Sequence, residues 1–317
     1  MKKILVTGGC GYVGSMLVPE LLKYNYDVTV LDLEIYGNQI KNKYGKVKYV
    51  KGDIRDPLIL NNTIPGNDAV IHLACISNDP SFELNPELGK SINYSAFEPL
   101  VKISKNSGVK RFIYASSSSV YGIKKEKEVS EDMKLEPLTD YSKYKALCED
   151  ILQKYSDQTF ITTTIRPATV CGFSYRLRLD VVVNLLTNLA YHKKMITVYG
   201  GDQLRPNIHI NDMVKAYIVL LEAEDNLVKN QIFNAGYENQ TVNEISLIVK
   251  SIIGDEVKII KNTSDDNRSY HISSKKIYNA LNFKAENSIE HAVLDLKSAF
   301  DKNVFTNTLT NPDYFNI

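Results

Sequence analysis

Ile4, Leu5 and Val6 form an unbroken apolar run near the start of the chain, the pattern of a strand buried on both faces of a parallel sheet. A turn follows it, with Gly8, Gly11 and Gly14 spaced three apart, and from Tyr12 to about Tyr24 the apolar positions recur at helical intervals. Val28 to Leu31 reads as a second strand, and Val47–Val50, Ala69–Ala74, Arg111–Ala115 and Phe160–Ile165 as further strands separated by stretches that can hold crossover helices. This alternation predicts an α/β fold built on a doubly wound parallel sheet. Beyond Pro167 the regularity loosens. Helical patterns near 179–193, 211–223 and 241–253 mix with short strands at 196–199, 231–234 and 257–261. The pattern divides the chain into a cofactor-binding region over 1–167 and a smaller substrate-binding region over 168–317, with the boundary within 167–175. Four consecutive serines at 116–119 are the one biased stretch.

Candidate chemistry sharpens this picture. A strand-to-helix turn rich in glycine brings backbone close to a diphosphate, and the helix that follows offers unpaired N–H groups to it. Strand, turn, helix and second strand occur here in the order of a Rossmann-type dinucleotide site, so Gly8, Gly11, Tyr12, Val13 and Gly14 are expected at the cofactor. Asp32 closes the second strand, where a carboxylate accepts hydrogen bonds from ribose hydroxyls. Glu34 adds negative charge and no arginine follows directly after it, which favours NAD over NADP. Downstream, Tyr141 and Lys145 stand four apart, on one face of a helix. A neighbouring cation favours the phenolate, and a positively charged nicotinamide ring adds to that effect, so Tyr141 is expected as a base near neutrality.

Composition removes other classes. The 38 basic and 37 acidic residues nearly cancel, so there is no electrostatic case for nucleic acid or a membrane surface. The chain starts directly in a core strand, with no leader and no apolar run long enough to span a bilayer, and a cytoplasmic location is expected. Cys10, Cys75, Cys148 and Cys171 lack metal-site spacing, so neither a metal nor a disulfide framework is expected.

Seven ordered motifs carry a family resemblance: Thr7-Gly-x-x-Gly-x-x-Gly14, Gly52-Asp53-Ile54-Arg55-Asp56, His72-Leu73-Ala74, Ser116 to Gly122, Tyr141-x-x-x-Lys145, Arg166-Pro167 and Arg205 to Asp212. With them the chain resembles an extended short-chain dehydrogenase/reductase of the NAD-dependent sugar-nucleotide epimerase/dehydratase type over most of its length. The resemblance implies that Asp53 and Ile54 contact adenine, that Leu73 and Ala74 pass under the cofactor, and that Ser117 completes a catalytic set with Tyr141 and Lys145. Ser116, Ser118 and Ser119 could compete for the role of Ser117. Lys145 is also expected to hold the nicotinamide ribose. For a nucleoside-diphosphate sugar, the resemblance implies Arg205 on the diphosphate, Asn184 on the nucleotide and Arg268 as a second phosphate contact. His209 is expected to be a packed structural residue. A homodimer formed by helices flanking the Tyr-Lys face is also implied.

Departures from that pattern select among reactions. Sugar-nucleotide 4,6-dehydratases follow the catalytic threonine with an acid-base pair ending in glutamate, and here Ser118 and Ser119 stand in those places, which disfavours dehydration. Asp32 and Glu34 disfavour an NADPH-dependent 4-keto reductase. A C4 epimerase working through a transient 4-keto sugar is the first expectation, a nucleotide-sugar dehydrogenase the second, and an NAD-sensing binding protein the non-enzymatic alternative. Thr169 replaces an asparagine common after Arg-Pro-x. The loop from Ile76 to Pro80 and the segment from Phe173 to Asp180, with Arg176 and Arg178, are expected to shape the sugar pocket.

Overall fold

The computed structural model describes residues 1–41, 43–126, 128–263, 269 and 271–316. Its strands are β1 (Lys3–Thr7), β2 (Asp27–Asp32), β3 (Lys48–Lys51), β4 (Ala69–His72), β5 (Arg111–Ala115), β6 (Ile161–Pro167), β7 (Thr169–Cys171), β8 (Met195–Tyr199), β9 (Leu204–His209), β10 (Gln231–Ala235), β11 (Glu238–Thr241) and β12 (Lys258–Asn262). Helices α1 (Gly14–Lys23), α2 (Pro57–Thr63), α3 (Asp79–Leu84), α4 (Pro86–Lys90), α5 (Phe97–Asn106) and α6 (Asp140–Tyr155) fall before β6. After it come α7 (Val182–Lys193), α8 (Ile210–Glu222), α9 (Asp225–Val228), α10 (Val242–Ile253), α11 (Lys275–Leu281) and α12 (Ile289–Asp301).

Seven parallel strands form the main sheet in the order β10-β6-β5-β4-β1-β2-β3. The chain winds outward from β1 to β3, then restarts at β4 on the other side of β1 and winds the opposite way. The point of reversal opens a crevice at the carboxyl ends of β1 and β4, the usual ligand position in such sheets. Alternation along β1 decides which layer each residue serves. Ile4 and Val6 pack with Leu17 and Leu21 of α1 and Met213, Tyr217 and Leu220 of α8. Leu5 points the other way, into a layer with Leu100 of α5, Leu152 of α6 and the rings of Phe97, Phe112 and Phe160. Full burial of such side chains contributes about 1.5–3 kcal/mol each, and it fixes where the loops above the sheet begin.

The second region holds a three-stranded sheet, β11-β9-β7, and the pair β12-β8. Val183 and Leu186 of α7, Ile245 and Val249 of α10 and Val293 of α12 form its core. One expected strand changes place. The run at 231–234 does not stay with this region but pairs with β6, Phe233 opposite Ile165, and completes the main sheet from beyond residue 167.

Candidate active site

A cleft of about 370 Å³ opens over the crevice, with the glycine turn at one end and Tyr141 at the other. At the glycine end, Gly8 has φ +75° and its backbone packs so tightly on the β4 loop that a Cβ would lie 2.6 Å from the Ala74 nitrogen. A Cβ on Gly14 would lie 2.4 Å from the Gly8 carbonyl oxygen. Only hydrogen fits in either place. Among the described residues the N–H groups of Tyr12 and Val13 meet no protein acceptor, and α1 begins without a side-chain cap or an acidic residue in its first turn. The turn thus keeps its donors and the positive end of the helix dipole for an anion. Asp32 is aimed by two backbone donors, Cys10 N–H to Oδ2 at 2.9 Å and Glu34 N–H to Oδ1 at 2.7 Å. Burial raises its pKa and those two hydrogen bonds oppose the rise. Each oxygen retains lone pairs for a ribose hydroxyl. Leu73 and Ala74 line the floor. These features match the needs of a dinucleotide.

At the other end, Thr139 caps α6 in a capping box with Ser142, and its hydroxyl also donates to Asp79 Oδ1 at 2.6 Å. The cap sets the register of the helix, and the four-residue spacing sends Tyr141 and Lys145 to the same face. Lys145 is buried; its Nζ donates to the Ala115 carbonyl at 2.6 Å and lies 5.8 Å from the Tyr141 ring centre. The serine run alternates. Ser116 and Ser118 turn inward, Ser116 donating to buried Glu149, whereas Ser117 is more open and lies beside the Tyr141 phenol. Ser119 shares a 2.8 Å hydrogen bond with Ser117. Extended backbone at Ser117 (φ −158°, ψ 145°) produces the alternation.

The protonation of Tyr141 departs from expectation. Burial raises its pKa well above the usual phenol value, Cys75 and Asp79 push the same way, and Arg178 and Ser117 only partly oppose them. Lys145 lies 5.8 Å from the ring centre, and burial outweighs the cations near the phenol. The chain's own groups therefore keep the phenol protonated, ready to donate.

Both segments expected near the sugar reach the cleft. Asn78 holds φ +88°, a conformation that a non-glycine residue keeps only when its surroundings impose it. Its Oδ1 caps α3 through Ser81 N–H, and its Nδ2 donates to Asp180. Asp180 in turn grips Arg178 in a two-point pair at 2.8 and 2.9 Å. Arg176 also lines the cleft and interacts electrostatically with Asp32. The sequence has no arginine close after Asp32, but folding brings one from β7's far side. Tyr36, Met213, Tyr217 and Asn316 join the lining as well. No local motif marks those four, since their position depends on elements far apart in the chain.

Other expected residues fall elsewhere. Asn184 is fully buried, accepting from Gly172 N–H and donating to Tyr12 Oη and the Arg178 carbonyl, so it braces the loop and does not face the cleft. The Tyr12 phenol donates to the Gly172 carbonyl at 2.8 Å, leaving its backbone to the turn. Ile54 lines the cleft, whereas Asp53 binds Arg55, which holds its carboxyl below the usual value. Arg205 lies on β9 outside the lining, with one N–H on the Leu204 carbonyl. Arg268 lies outside the described residues. His209 is buried and caps α8 through Asn211 N–H, a structural role. Among the described residues no group of three His, Cys, Asp or Glu could hold a metal, and no helix is long and apolar enough to cross a membrane.

Comparison with known proteins agrees with this geometry. The profile of the "NAD dependent epimerase/dehydratase family" matches residues 4–236. The UDP-glucose 4-epimerase of Lactobacillus helveticus is 28% identical over 274 residues, covering 80% of this chain and 83% of that protein. YtcB of Bacillus subtilis, described as an uncharacterized UDP-glucose epimerase, is 30% identical over 266 residues, covering 80% and 82%. Among solved structures, the Thermotoga maritima UDP-glucose 4-epimerase with UDP-glucose superposes with a TM-score of 0.86 at 24% identity, covering 96% of this chain and all of that one. The dTDP-glucose 4,6-dehydratase DesIV of Streptomyces venezuelae, with NAD bound, reaches 0.87 at 22% identity, covering 97% and 100%. The fold is common to both reactions and does not choose between them.

Proposed function

The chain belongs to the NAD dependent epimerase/dehydratase family, so it is an enzyme that works with NAD, and from that premise we propose that it inverts C4 of a nucleoside-diphosphate hexose through a transient 4-keto sugar. The observation that carries this reading is the meeting of the Tyr141 phenol, the Ser117 hydroxyl and buried Lys145 at one end of the cleft, with no acid-base pair after Ser117. The names of the Lactobacillus helveticus and Bacillus subtilis relatives support a UDP-sugar as the first substrate to try.

When bound, NAD supplies the acceptor and donor of hydride that no side chain can provide, together with a positively charged ring. The glycine turn and the first N–H groups of α1 would hold its diphosphate, Asp32 a ribose, and Lys145 the ribose nearest Tyr141. With the positively charged ring of NAD beside it the phenol would give up its own proton, and Tyr141 Oη would then accept the proton of the C4 hydroxyl as that carbon is oxidised and return it when the carbon is reduced. Ser117 hydrogen-bonds the same sugar oxygen and keeps it in line with the phenol. Arg178 offsets part of the burial that opposes the phenol's ionisation, and Lys145 lies 5.8 Å from its ring centre. Asp79 is the carboxylate nearest to that end, held by Thr139. It stands on α3, not beside Ser117, so it does not reproduce the dehydratase pair.

The test is incubation with UDP-, GDP-, CDP- and dTDP-hexoses plus NAD, followed by product identification. A C4 isomer without net reduced cofactor is the expected result. Stoichiometric reduced cofactor would replace the proposal with a dehydrogenase, and loss of water would make Asp79 an acid and the enzyme a dehydratase. We also propose a homodimer through the helices flanking Tyr141 and Lys145, supported by exposed Leu147 on α6; sedimentation at a single-chain mass would overturn it.

A further inference from the structure

Among the described residues four arginines, Arg111, Arg166, Arg176 and Arg178, are packed in with little exposure, and three of them hold a carboxylate: Arg111 pairs with Asp225, Arg166 with Glu149 and Arg178 with Asp180. The fourth, Arg176, is 3% exposed and has no carboxylate partner among the described residues. Asp32, Asp180 and Asp313 are near enough to act on its charge, but among the described residues none pairs with it directly, and a buried cation without such a pair is costly. Burial accordingly pulls its pKa below the usual arginine value.

The guanidinium is nevertheless well fixed. It lies 3.8 Å from the centre of the Tyr36 ring, and one terminal nitrogen donates to Asn316 Oδ1. Its Nε carries a proton with no acceptor. Asn316 continues across the cleft, its Nδ2 donating to the Ser77 hydroxyl at 2.7 Å, while the Leu179 N–H holds the same segment through the Tyr314 carbonyl at 2.7 Å. The backbone around Arg176 is stapled to the glycine turn. Arg176 N–H donates to Ser15 Oγ at 3.2 Å, Ser174 Oγ to the Tyr12 carbonyl at 2.6 Å, and the Ser15 and Ser174 hydroxyls meet at 2.7 Å. The residue thus starts at the first turn of α1, where an anion is favoured, and its side chain opens on the cleft.

We propose that Arg176 is the counter-charge to the dinucleotide's diphosphate, and that Asn316 and Tyr36 hold its guanidinium in place so that the cofactor stays bound between turnovers. A fork of N–H donors suits phosphate oxygens. The stacking on Tyr36 and the Asn316 bond remove the rotamer freedom that would otherwise be lost on binding. This inference depends on the cofactor site and not on which sugar carbon reacts, so the two can fail separately.

The test is calorimetric titration of cofactor-stripped protein with NAD, NADP, ADP and adenosine. For Arg176→Met, NAD and ADP are expected to bind about tenfold to a hundredfold more weakly, with adenosine unchanged, and the variant should lose bound NAD on gel filtration that the parent retains. Arg176→Lys should recover part of the loss. Equal weakening of adenosine and ADP, or less than about a twofold change for both, overturns the proposal. A loss confined to NADP also overturns it, since the contact would then be to a 2′-phosphate. Should Arg176→Met fail to fold, Asn316→Ala carries the test, because it frees the guanidinium without removing it. A weaker ADP affinity with unchanged adenosine supports the proposal there, and unchanged ADP affinity refutes it.

Discussion

At the scale of single residues, burial outweighs nearby charge in this cleft. Tyr141 sits near two cations and still keeps its proton more tightly than a free phenol, because removing a phenolate from water costs more than Arg178 and Ser117 return. Tyr141→Phe should therefore lose turnover by about a hundredfold to ten-thousandfold, the usual contribution of a positioned acid or base. NAD affinity by titration should stay within roughly twofold, since the phenol is not among the groups that hold the diphosphate. His72 shows the same dominance of burial. It lies among the rings of Phe97, Phe112 and Tyr114, shares a 2.7 Å hydrogen bond with the Thr7 hydroxyl, and has its pKa lowered to about 3 by burial, with Lys145 adding to the effect. Between its unfolded value and about 3 only the unfolded chain takes up this proton. Stability must then fall as pH drops below about 6.5, by up to about 1.4 kcal/mol per pH unit from this site. Urea midpoints at pH 7, 6 and 5 should show a shallower decline for His72→Asn than for the parent; parallel slopes would contradict the account. Four-residue spacing put Tyr141 and Lys145 on one helix face, but their chemistry could be read only with the glycine turn beside it, and Ser117 only from the family resemblance. What spacing could not reveal was that Ala115 would engage the ammonium, because that contact depends on how α6 lies against β5.

At the scale of elements, legibility followed hydrophobic contrast. The first strand, turn and helix were readable because Ile4 to Val6 form an apolar run and the glycines are regularly spaced. The polar strand β9, Leu-Arg-Pro-Asn-Ile-His, has no such contrast and read only as a motif. The segment from α3 to α5 includes a stretch of π-helix at Ser91–Ser95, where Asn93 holds the Ile76 backbone through two 2.8 Å hydrogen bonds. Irregular helix of this kind has no periodic signature. The glycine turn yields a paired prediction. Gly14→Ala drives a Cβ into the Gly8 carbonyl and should cost about 1–3 kcal/mol along with NAD binding, whereas Gly45 faces open space and Gly45→Ala should be neutral or gain up to about 1 kcal/mol. Thermal unfolding of the two variants, with and without NAD, checks both.

At the scale of the whole molecule, a buried polar chain joins elements that the sequence keeps far apart. Glu149 of α6 binds Arg166 of β6 through both carboxylate oxygens and accepts from Ser116; Arg166 donates to Tyr121 Oη at 2.7 Å, Tyr121 to Asn234 of β10 at 2.7 Å, and Asn234 N–H to Glu131 at 2.7 Å. The serine loop is thus tied to α6 on one side and to the outermost strand on the other. Glu149→Gln leaves the guanidinium inside without its partner and should cost about 3–5 kcal/mol in denaturant unfolding. A loss below about 1 kcal/mol would mean that the chain is decorative. The run at 231–234 was legible as a strand, but not as a member of the main sheet, since nothing local records which partner a strand will choose.

That choice limits how the enzyme can breathe. Because β10 returns from the second region to lie beside β6, and β7 leaves again directly after β6, the two halves are joined by more than one crossing at the β6 edge of the main sheet and not by a single linker. Ligand exchange is then expected to respond to changes at the rim where Asn316 hydrogen-bonds Ser77 more than to changes at any one linker between the halves.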